Sequence, residues 1–323
     1  MDVLPVLGLT KEKNVQQLDV RDRKILSLIT GDARQPLSRI GHTLRISKDA
    51  VAYRLKRLAQ REILKGSRAM ISTSAFGYDA FHIFVRLKSP NPKEEQRFIR
   101  DLIALPYARA VLQLHGGYDF EIALIAKTIE ELDKEINEVS EIFGKALSSV
   151  ELLAIAKSLC AVLLPKSLEI EKRFQENQPK KATDASSLDS IDLKLLKLIS
   201  EDATVSFVEL ANKLHVSVDT ARYRLRHLEQ GIIQRYTSVV NYHALGYSVQ
   251  VLLADVRMFG SETLEKLQKF FSQDKHTIWA VKTLGSYSVL AYICVKSNDE
   301  LHETIRNFRE TFSEQLARYE VVP

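Results

Sequence analysis

The chain has 323 residues, 46 Lys and Arg against 41 Asp and Glu, and 45% apolar side chains, which is material for packed cores and excludes a disordered chain. Its net charge of +5 says little about nucleic acid by itself, because phosphate is bound where basic residues cluster. Two isolated cysteines, Cys160 and Cys294, offer neither a disulfide framework nor a metal-ligand spacing. The start carries no basic-then-apolar leader and no run is long and apolar enough for a membrane helix, so a reducing, cytoplasmic location without membrane contact is expected.

After an N-terminal tail over residues 1–17, Asp19 and Asp22 open a short amphipathic helix carrying Ile25, Leu26, Leu28 and Ile29, its acids in the first turn where the helix dipole favours them. A second helix is expected from Ser38 to Leu44. A third starts with Ser47 as N-cap and runs through Arg57 or a little beyond, with Val51, Leu55 and Leu58 on one face. Three short helices with a tight connection between the last two read as a helix-turn-helix. The periodicity then changes. Phe81–Leu87 reads as strand, Lys93–Leu105 as helix after Pro90 and Pro92, Ala110–Leu114 and Phe120–Ile125 as strands, Glu130–Phe143 as helix and Val150–Ala156 as strand. That is the split βαββαβ order of a ferredoxin-like domain, whose antiparallel sheet has helices on one face and needs a cover for the other.

The same text is then repeated. Leu18–Gln60 superposes on Leu188–Gln230 at an offset of 170 without a gap, with about 17 of 43 positions identical, and the match resumes as far as Gly77-Tyr78 over Gly246-Tyr247. The second copy gives Leu195, Leu196, Leu198 and Ile199, then Leu210 and Leu214, then Ser217 capping a helix that faces Ala221, Leu225 and Leu228 inward. Val249–Val256, Glu262–Phe271, Thr277–Thr283, Val289–Val295, Asp299–Phe312 and Arg318–Val322 follow. The fold class is therefore α+β, two winged helix-turn-helix domains (18–66 and 188–236) alternating with two ferredoxin-like domains (67–165 and 237–323), the second with a shortened last strand. Residues 166–187 turn polar and are expected to be the linker. The uncovered sheet faces predict that the two β domains pair with each other within the chain, or as a homo-oligomer.

These residues resemble the Lrp/AsnC family of prokaryotic transcription regulators, in tandem. The resemblance covers nearly the whole chain and is carried by Leu18-Asp19 with Asp22, Asp32-Ala33-Arg34, Ser47, Tyr53-Arg54-Leu55, Phe76-Gly77-Tyr78 and Gly116-Gly117-Tyr118-Asp119. Their counterparts are Leu188-Asp189 with Asp192, Asp202-Ala203, Ser217, Tyr223-Arg224-Leu225, Leu245-Gly246-Tyr247 and Gly285-Ser286-Tyr287-Ser288. It implies sequence-specific binding of double-stranded DNA by the winged helix-turn-helix, dimerisation through the sheet, and modulation by an amino acid or similar small effector; no enzymatic activity and no cofactor are expected. The aspartate of the first Gly-Tyr-Asp turn is Ser288 in the second copy.

The candidate DNA-binding residues lie on the third helices: Ser47, Lys48, Asp49, Ala52, Tyr53, Arg54, Lys56 and Arg57, and Ser217, Val218, Asp219, Arg222, Tyr223, Arg224 and Arg226. A recognition helix needs such a solvent face, because its early residues meet base edges while Arg and Lys reach phosphates. The bland alternative is a solvated basic face. From Leu18 to Lys65 there are twelve basic residues against five acidic ones; from Leu188 to Arg235 there are seven of each, so most of the nonspecific affinity is expected from the first copy. The candidate effector residues are Gly116, Gly117, Tyr118, Asp119, Gly285 and Ser286; alternatively Asp119 bonds its own backbone in a glycine-rich turn. Sirohaem decarboxylases look like the same two-domain unit and give a rival, enzymatic reading, but the His-Asn-Tyr in which they resemble one another is missing from Leu112–Tyr118 and Val281–Tyr287. A sensor or interaction module without DNA binding is the other alternative. The eight histidines are scattered, so no metal site is expected.

Overall fold

Each helix-turn-helix is built by local chemistry. Asp19 caps α1 (Val20–Gly31) by accepting from the Asp22 amide at 2.7 Å, α2 spans Leu37–Leu44, and Ser47 caps α3 (Lys48–Gln60) by accepting from the Ala50 amide at 3.1 Å. In the second copy α6 (Ser190–Glu201), α7 (Phe207–Leu214) and α8 (Val218–Leu228) follow the same plan, with Asp189 and Ser217 as caps. The computed structural model describes residues 15–88, 91–168, 185, 188–257 and 260–323; most of the expected tail and linker, and Pro90, lie outside them. None of the described helices is long and apolar enough to cross a membrane.

The chain divides into two compact units, and neither is one of the repeats. The first unites the two helix-turn-helix domains, from the N-terminal part through Phe76 with Val162–Tyr247. Its centre is a two-stranded antiparallel ribbon: β1 (Leu64–Ile71) pairs with β6 (Ile233–Val240), Leu64 opposite Val240 and Ile71 opposite Ile233. The copies interlock around it. The Ala33 amide donates to Tyr236 and the Ala203 amide to Ser67, both at 3.1 Å, the Arg34 guanidinium donates to the Ala203 and Val205 carbonyls, and Ala69 and Ala75 of the first copy join the core formed by Leu195, Leu210 and Leu225 of the second. The boundaries expected at 66 and 236 therefore fall about ten residues later. The strands after each third helix belong with the helix-turn-helix domains because each needs the other copy's strand to satisfy its backbone groups.

The second unit, Gly77–Ala161 with Ser248–Pro323, contains both ferredoxin-like halves. The first half has β2 (Asp79–Leu87), α4 (Pro92–Ile103), β3 (Ala108–Gln113), β4 (Phe120–Ala126), α5 (Ile129–Phe143) and β5 (Leu147–Ala161). The second has β7 (Ser248–Val256), α9 (Ser261–Gln273), β8 (Thr277–Gly285), β9 (Val289–Val295), α10 (Asn298–Thr311) and β10 (Leu316–Val322). In the first half, Ile83, Val85, Phe120 and Ile122 of the sheet pack on Phe98, Leu102, Val139 and Phe143 of α4 and α5. The eight strands form one sheet in the order β10-β7-β9-β8-β5-β2-β4-β3. The strand expected over Val150–Ala156 is longer, because beyond Leu153 β5 crosses to pair with β8, Leu153 opposite Gly285 and Ala161 opposite Trp279.

This sheet folds back on itself. Four strand steps of about 4.8 Å would hold β4 and β9 roughly 19 Å apart in a flat sheet, yet the Tyr292 hydroxyl of β9 donates to Glu121 Oε1 of β4 at 2.5 Å. The faces without helices meet, so the two halves are joined both edge to edge and face to face. At the contact His82 Nδ1 lies 2.6 Å from Glu121 Oε1, and the Trp279 ring sits between those of His82 (centroids 5.4 Å apart) and Tyr292 (4.9 Å). All four side chains are buried. Burial, followed by the Glu121 charge and hydrogen bond, pushes the Tyr292 phenol well above its ordinary pKa, so it stays a donor.

Candidate nucleic-acid interface

On α3, Val51 and Leu58 point into the core while Leu55 is half-buried. Arg54 is not on the open face: its Nη1 donates to Asp19 Oδ2 and to Asp22 Oδ1, both at 2.7 Å, and Arg57 Nη2 donates to Asp22 Oδ2 at 2.6 Å. Arg224 is clipped in the same way to Asp189 (2.8 Å) and Asp192 (2.9 Å). Asp22 is buried, and a buried carboxylate needs paired, hydrogen-bonded cations. Burial pushes Asp19 up, but the Arg54 hydrogen bond, the Asp22 amide and the charges of Arg54 and Arg57 together hold it below its ordinary pKa. The Asp192 amide and then the Arg224 guanidinium do the same for Asp189. The first-turn acids of α1 and α6 thus serve twice, as caps or dipole partners and as anchors for the third helix.

With those arginines committed, the exposed surface of α3 is made by Lys48, Asp49, Ala52, Tyr53 and Lys56, and that of α8 by Asp219, Tyr223 and Arg226. Val218 is half-buried against the helical core. Arg222 is half-buried too, reaching Asp219 Oδ1 at 3.0 Å and lying over the Phe207 ring. Ser47 and Ser217 are exposed but use their hydroxyls as caps. Tyr53 is 66% and Tyr223 72% exposed. A signal for the clamp was present in the repeat: Asp19, Asp22 and Arg54 are identical to Asp189, Asp192 and Arg224.

The two glycine turns lie where the β halves meet. Tyr118 is buried, and its hydroxyl donates to Glu151, which also accepts from the Ser286 hydroxyl of the other half. At the matching place Tyr287 donates to Glu320 at 3.0 Å, and a side chain on Gly117 would strike the Glu320 carboxylate. Burial foremost, and then the glutamates, raise the pKa of both phenols. Gly116 and Gly285 have φ of +122° and +141°, a conformation that favours glycine. Asp119 accepts from the Leu87 amide at 2.6 Å, and Ser288 accepts from the Val256 amide at 2.7 Å, so the backbone-bonding task survives in both copies. Arg86 stacks on Tyr118 from β2, whereas Arg318 stacks on Tyr287 from β10. Among the described residues no cluster of His, Cys, Asp and Glu is placed to hold a metal ion.

The model of the AsnC-type helix-turn-helix domain matches residues 18–59 and again 188–229. Ptr1 of Methanocaldococcus jannaschii, an HTH-type transcriptional regulator, is 34% identical over 121 residues, which are 38% of this chain and 80% of that protein. The chain belongs to the AsnC-type helix-turn-helix regulators. LrpA of Pyrococcus horikoshii, likewise an HTH-type transcriptional regulator, is 33% identical to this AsnC-type chain over 126 residues, covering 37% of it and 84% of the relative. Each alignment is shorter than one of the two copies. The crystal structure of the siroheme decarboxylase NirDL is similar over 94% of this chain and 90% of its own, with a TM-score of 0.64 and 15% identity, which is a likeness of fold.

Proposed function

We propose that this AsnC-type regulator binds double-stranded DNA sequence-specifically through α3 and α8 of a single chain, reading two half-sites that differ. The observation that supports it is the pair Tyr53 and Tyr223, identical in both copies yet 66% and 72% exposed. A large aromatic kept on the outer face of both third helices, one turn past the cap, is suited to base edges and sugar rather than to the core. Around them the exposed faces diverge: exposed Lys48 and Ala52 stand where the second copy has half-buried Val218 and Arg222, and Lys56 stands where it has Arg226, so the base contacts diverge with them. The relatives sharing a third of their residues with the chain are regulators, whereas the likeness to a decarboxylase is confined to fold.

Selection of bound sequences from a random duplex pool tests this. The expected product is an imperfect palindrome, and Tyr53→Ala is expected to relax preference in one half-site only. A perfectly symmetric consensus would refute the one-chain reading, and no enrichment at all would refute DNA recognition. For an amino acid or related effector, the two glycine turns are the reading we favour. Such a ligand would have to displace Glu151 from Tyr118 or Glu320 from Tyr287, and repeating the selection with an amino-acid panel measures the effect.

A further inference from the structure

Arg34 belongs to the first copy, but its side chain is bound by the second. Its Nη1 donates to the Ala203 carbonyl at 2.5 Å and to the Val205 carbonyl at 3.1 Å, and its guanidinium lies 5.4 Å from the centre of the Tyr236 ring and 5.2 Å from that of Phe207. Phe207, the first residue of α7, carries a further guanidinium, that of Arg222 on α8, again at 5.2 Å. The Tyr236 hydroxyl donates at 2.7 Å to Glu229, the C-cap of α8. One side chain is thus tied, through two rings, to the middle and to the end of the other copy's third helix. We propose that Arg34 is a positioning residue for the second reader: it fixes Phe207, Phe207 holds Arg222, and the strength of base preference in the half-site under α8 depends on it. This rests on the reading of DNA by α8 and adds that one copy sets how well the other reads.

The repeat supplies the control. Arg34, Phe207, Arg222, Tyr236 and Glu229 correspond to Thr204, Leu37, Ala52, Ser67 and Ala59, which carry neither ring nor charge. On that side the Ser67 hydroxyl and the Thr204 amide and hydroxyl all donate to Asp202. Since α3 forms there with the same serine cap, the stack is not what makes a third helix. Its effect falls on Arg222. An arginine free on a helix surface samples many rotamers, and ordering them is a cost of binding. Arg222 is ordered beforehand, by the Phe207 ring and by Asp219 Oδ1 at 3.0 Å, while 42% of its side chain stays exposed. Its remaining donors are available to a base edge, and the arginine fork matches the two acceptors of guanine. The platform needs its own support, because Phe207 is only half-buried. Arg34 gives it that support, and two cations at one ring repel each other. With Arg34 held by two carbonyls, Arg222 is the one that turns away from the ribbon.

The test is sequence selection with the full chain, followed by equilibrium binding to duplexes substituted in one half-site at a time. Arg222→Ala installs the residue of the first copy and is expected to lower discrimination in the half-site under α8 by about tenfold, the worth of one good arginine contact to a base. Arg34→Thr is expected to weaken that same preference by about threefold or more without changing the base preferred, while the half-site that Tyr53→Ala relaxes keeps its discrimination within about twofold. Phe207→Leu removes the platform but leaves Arg34 on its carbonyls. It is expected to act as Arg34→Thr does, and it takes that variant's place if Arg34→Thr does not fold. Arg34→Thr combined with Arg222→Ala should lose no discrimination beyond Arg222→Ala alone, because the one residue acts through the other. Equal weakening on every duplex, an unchanged preference in both Arg34→Thr and Phe207→Leu, or additive losses in the double variant overturns the proposal while leaving DNA recognition standing. A parent chain that enriches no sequence overturns DNA recognition and the positioning role with it.

Discussion

Glu121 is the residue on which the meeting of the two β halves is most directly testable. Its Oε1 receives the Tyr292 hydroxyl at 2.5 Å and lies 2.6 Å from His82 Nδ1, while its Oε2 is buried without a partner. At the equivalent positions of the second copy Glu121 is Leu290 and His82 is Val251, so leucine and valine are compatible with this backbone. Glu121→Leu alone orphans the Tyr292 hydroxyl and one nitrogen of His82 in a buried interface. Each lost partner costs about 1–3 kcal/mol; against this, removing a half-satisfied buried carboxylate and burying a leucine recovers part. A net loss of about 1–3 kcal/mol is expected. The triple variant Glu121→Leu, His82→Val, Tyr292→Phe leaves no orphan, and replacement of a buried charged network by packed apolar groups is often neutral or stabilising. It is expected to recover at least about 1 kcal/mol of the single variant's loss. The assay is urea unfolding followed by tryptophan fluorescence. The chain has one tryptophan, Trp279, which stacks between His82 and Tyr292 and so reports this interface. A triple variant no more stable than Glu121→Leu, or a single variant losing less than about 0.5 kcal/mol, would refute the reasoning.

Four further outcomes are expected. Lys48→Ala with Lys56→Ala should lower the magnitude of the slope of log affinity against log salt by about 1–2, while Arg54→Ala should lower thermal stability by about 1–3 kcal/mol through its clamp; the reverse pattern would return Arg54 to the phosphate-binding face. Asp19 and Asp189 have folded pKa values below the ordinary value of 3.8. Their contribution is therefore fully present above that value and is lost as pH falls through the lower, folded one; acid unfolding by circular dichroism should be flatter in Arg54→Ala with Arg224→Ala. Glu135, pushed up to about 7 by burial and then by Glu131 and Glu138, has the opposite sign, destabilising the fold at high pH and relieved as pH drops from about 7 towards the ordinary carboxylate range. Glu135→Thr, the residue of the second copy at Thr304, should add on the order of 1–2 kcal/mol at pH 8 and nothing at pH 4; a gain at both would refute the titration argument.

Most of the elements were legible because their causes are local. Serine and aspartate caps, the 3.6-residue spacing of Val51 and Leu58, and the β-rich runs around each glycine turn all act within a few residues. What escaped depends on distant chain. The five residues that extend β5 beyond Ala156 do not alternate apolar with polar; they are strand because β8 lies beside them, more than a hundred residues away. The pairing of β1 with β6 is equally non-local. The clamp of Arg54 and Arg57 is not legible locally, because a basic residue beside a reading face resembles a phosphate contact until the first-turn acids of another helix are placed next to it.

The duplication separates frame from reader within one chain. After a duplication, a position held identical in both copies and paired internally, such as Asp22 with Arg54 or Asp192 with Arg224, supports the fold of each copy and should tolerate little. Lys48, Ala52 and Lys56, which lie on the outer face of α3 and differ from their counterparts in the second copy, are free of the core and can change without unfolding it. Lys48→Val, Ala52→Arg and Lys56→Arg together give α3 the residues that α8 carries at those three positions, leaving Tyr53, the Ser47 cap and the Arg54 clamp untouched. If those outward residues carry the base contacts, sequence selection with this variant should yield two like half-sites where the parent yields two unlike ones, at unchanged spacing. Since Arg57 would still hold Asp22, thermal stability should stay within about 0.5 kcal/mol of the parent. A recoded variant that keeps the parental, asymmetric consensus would show that the discrimination lies outside the third helices.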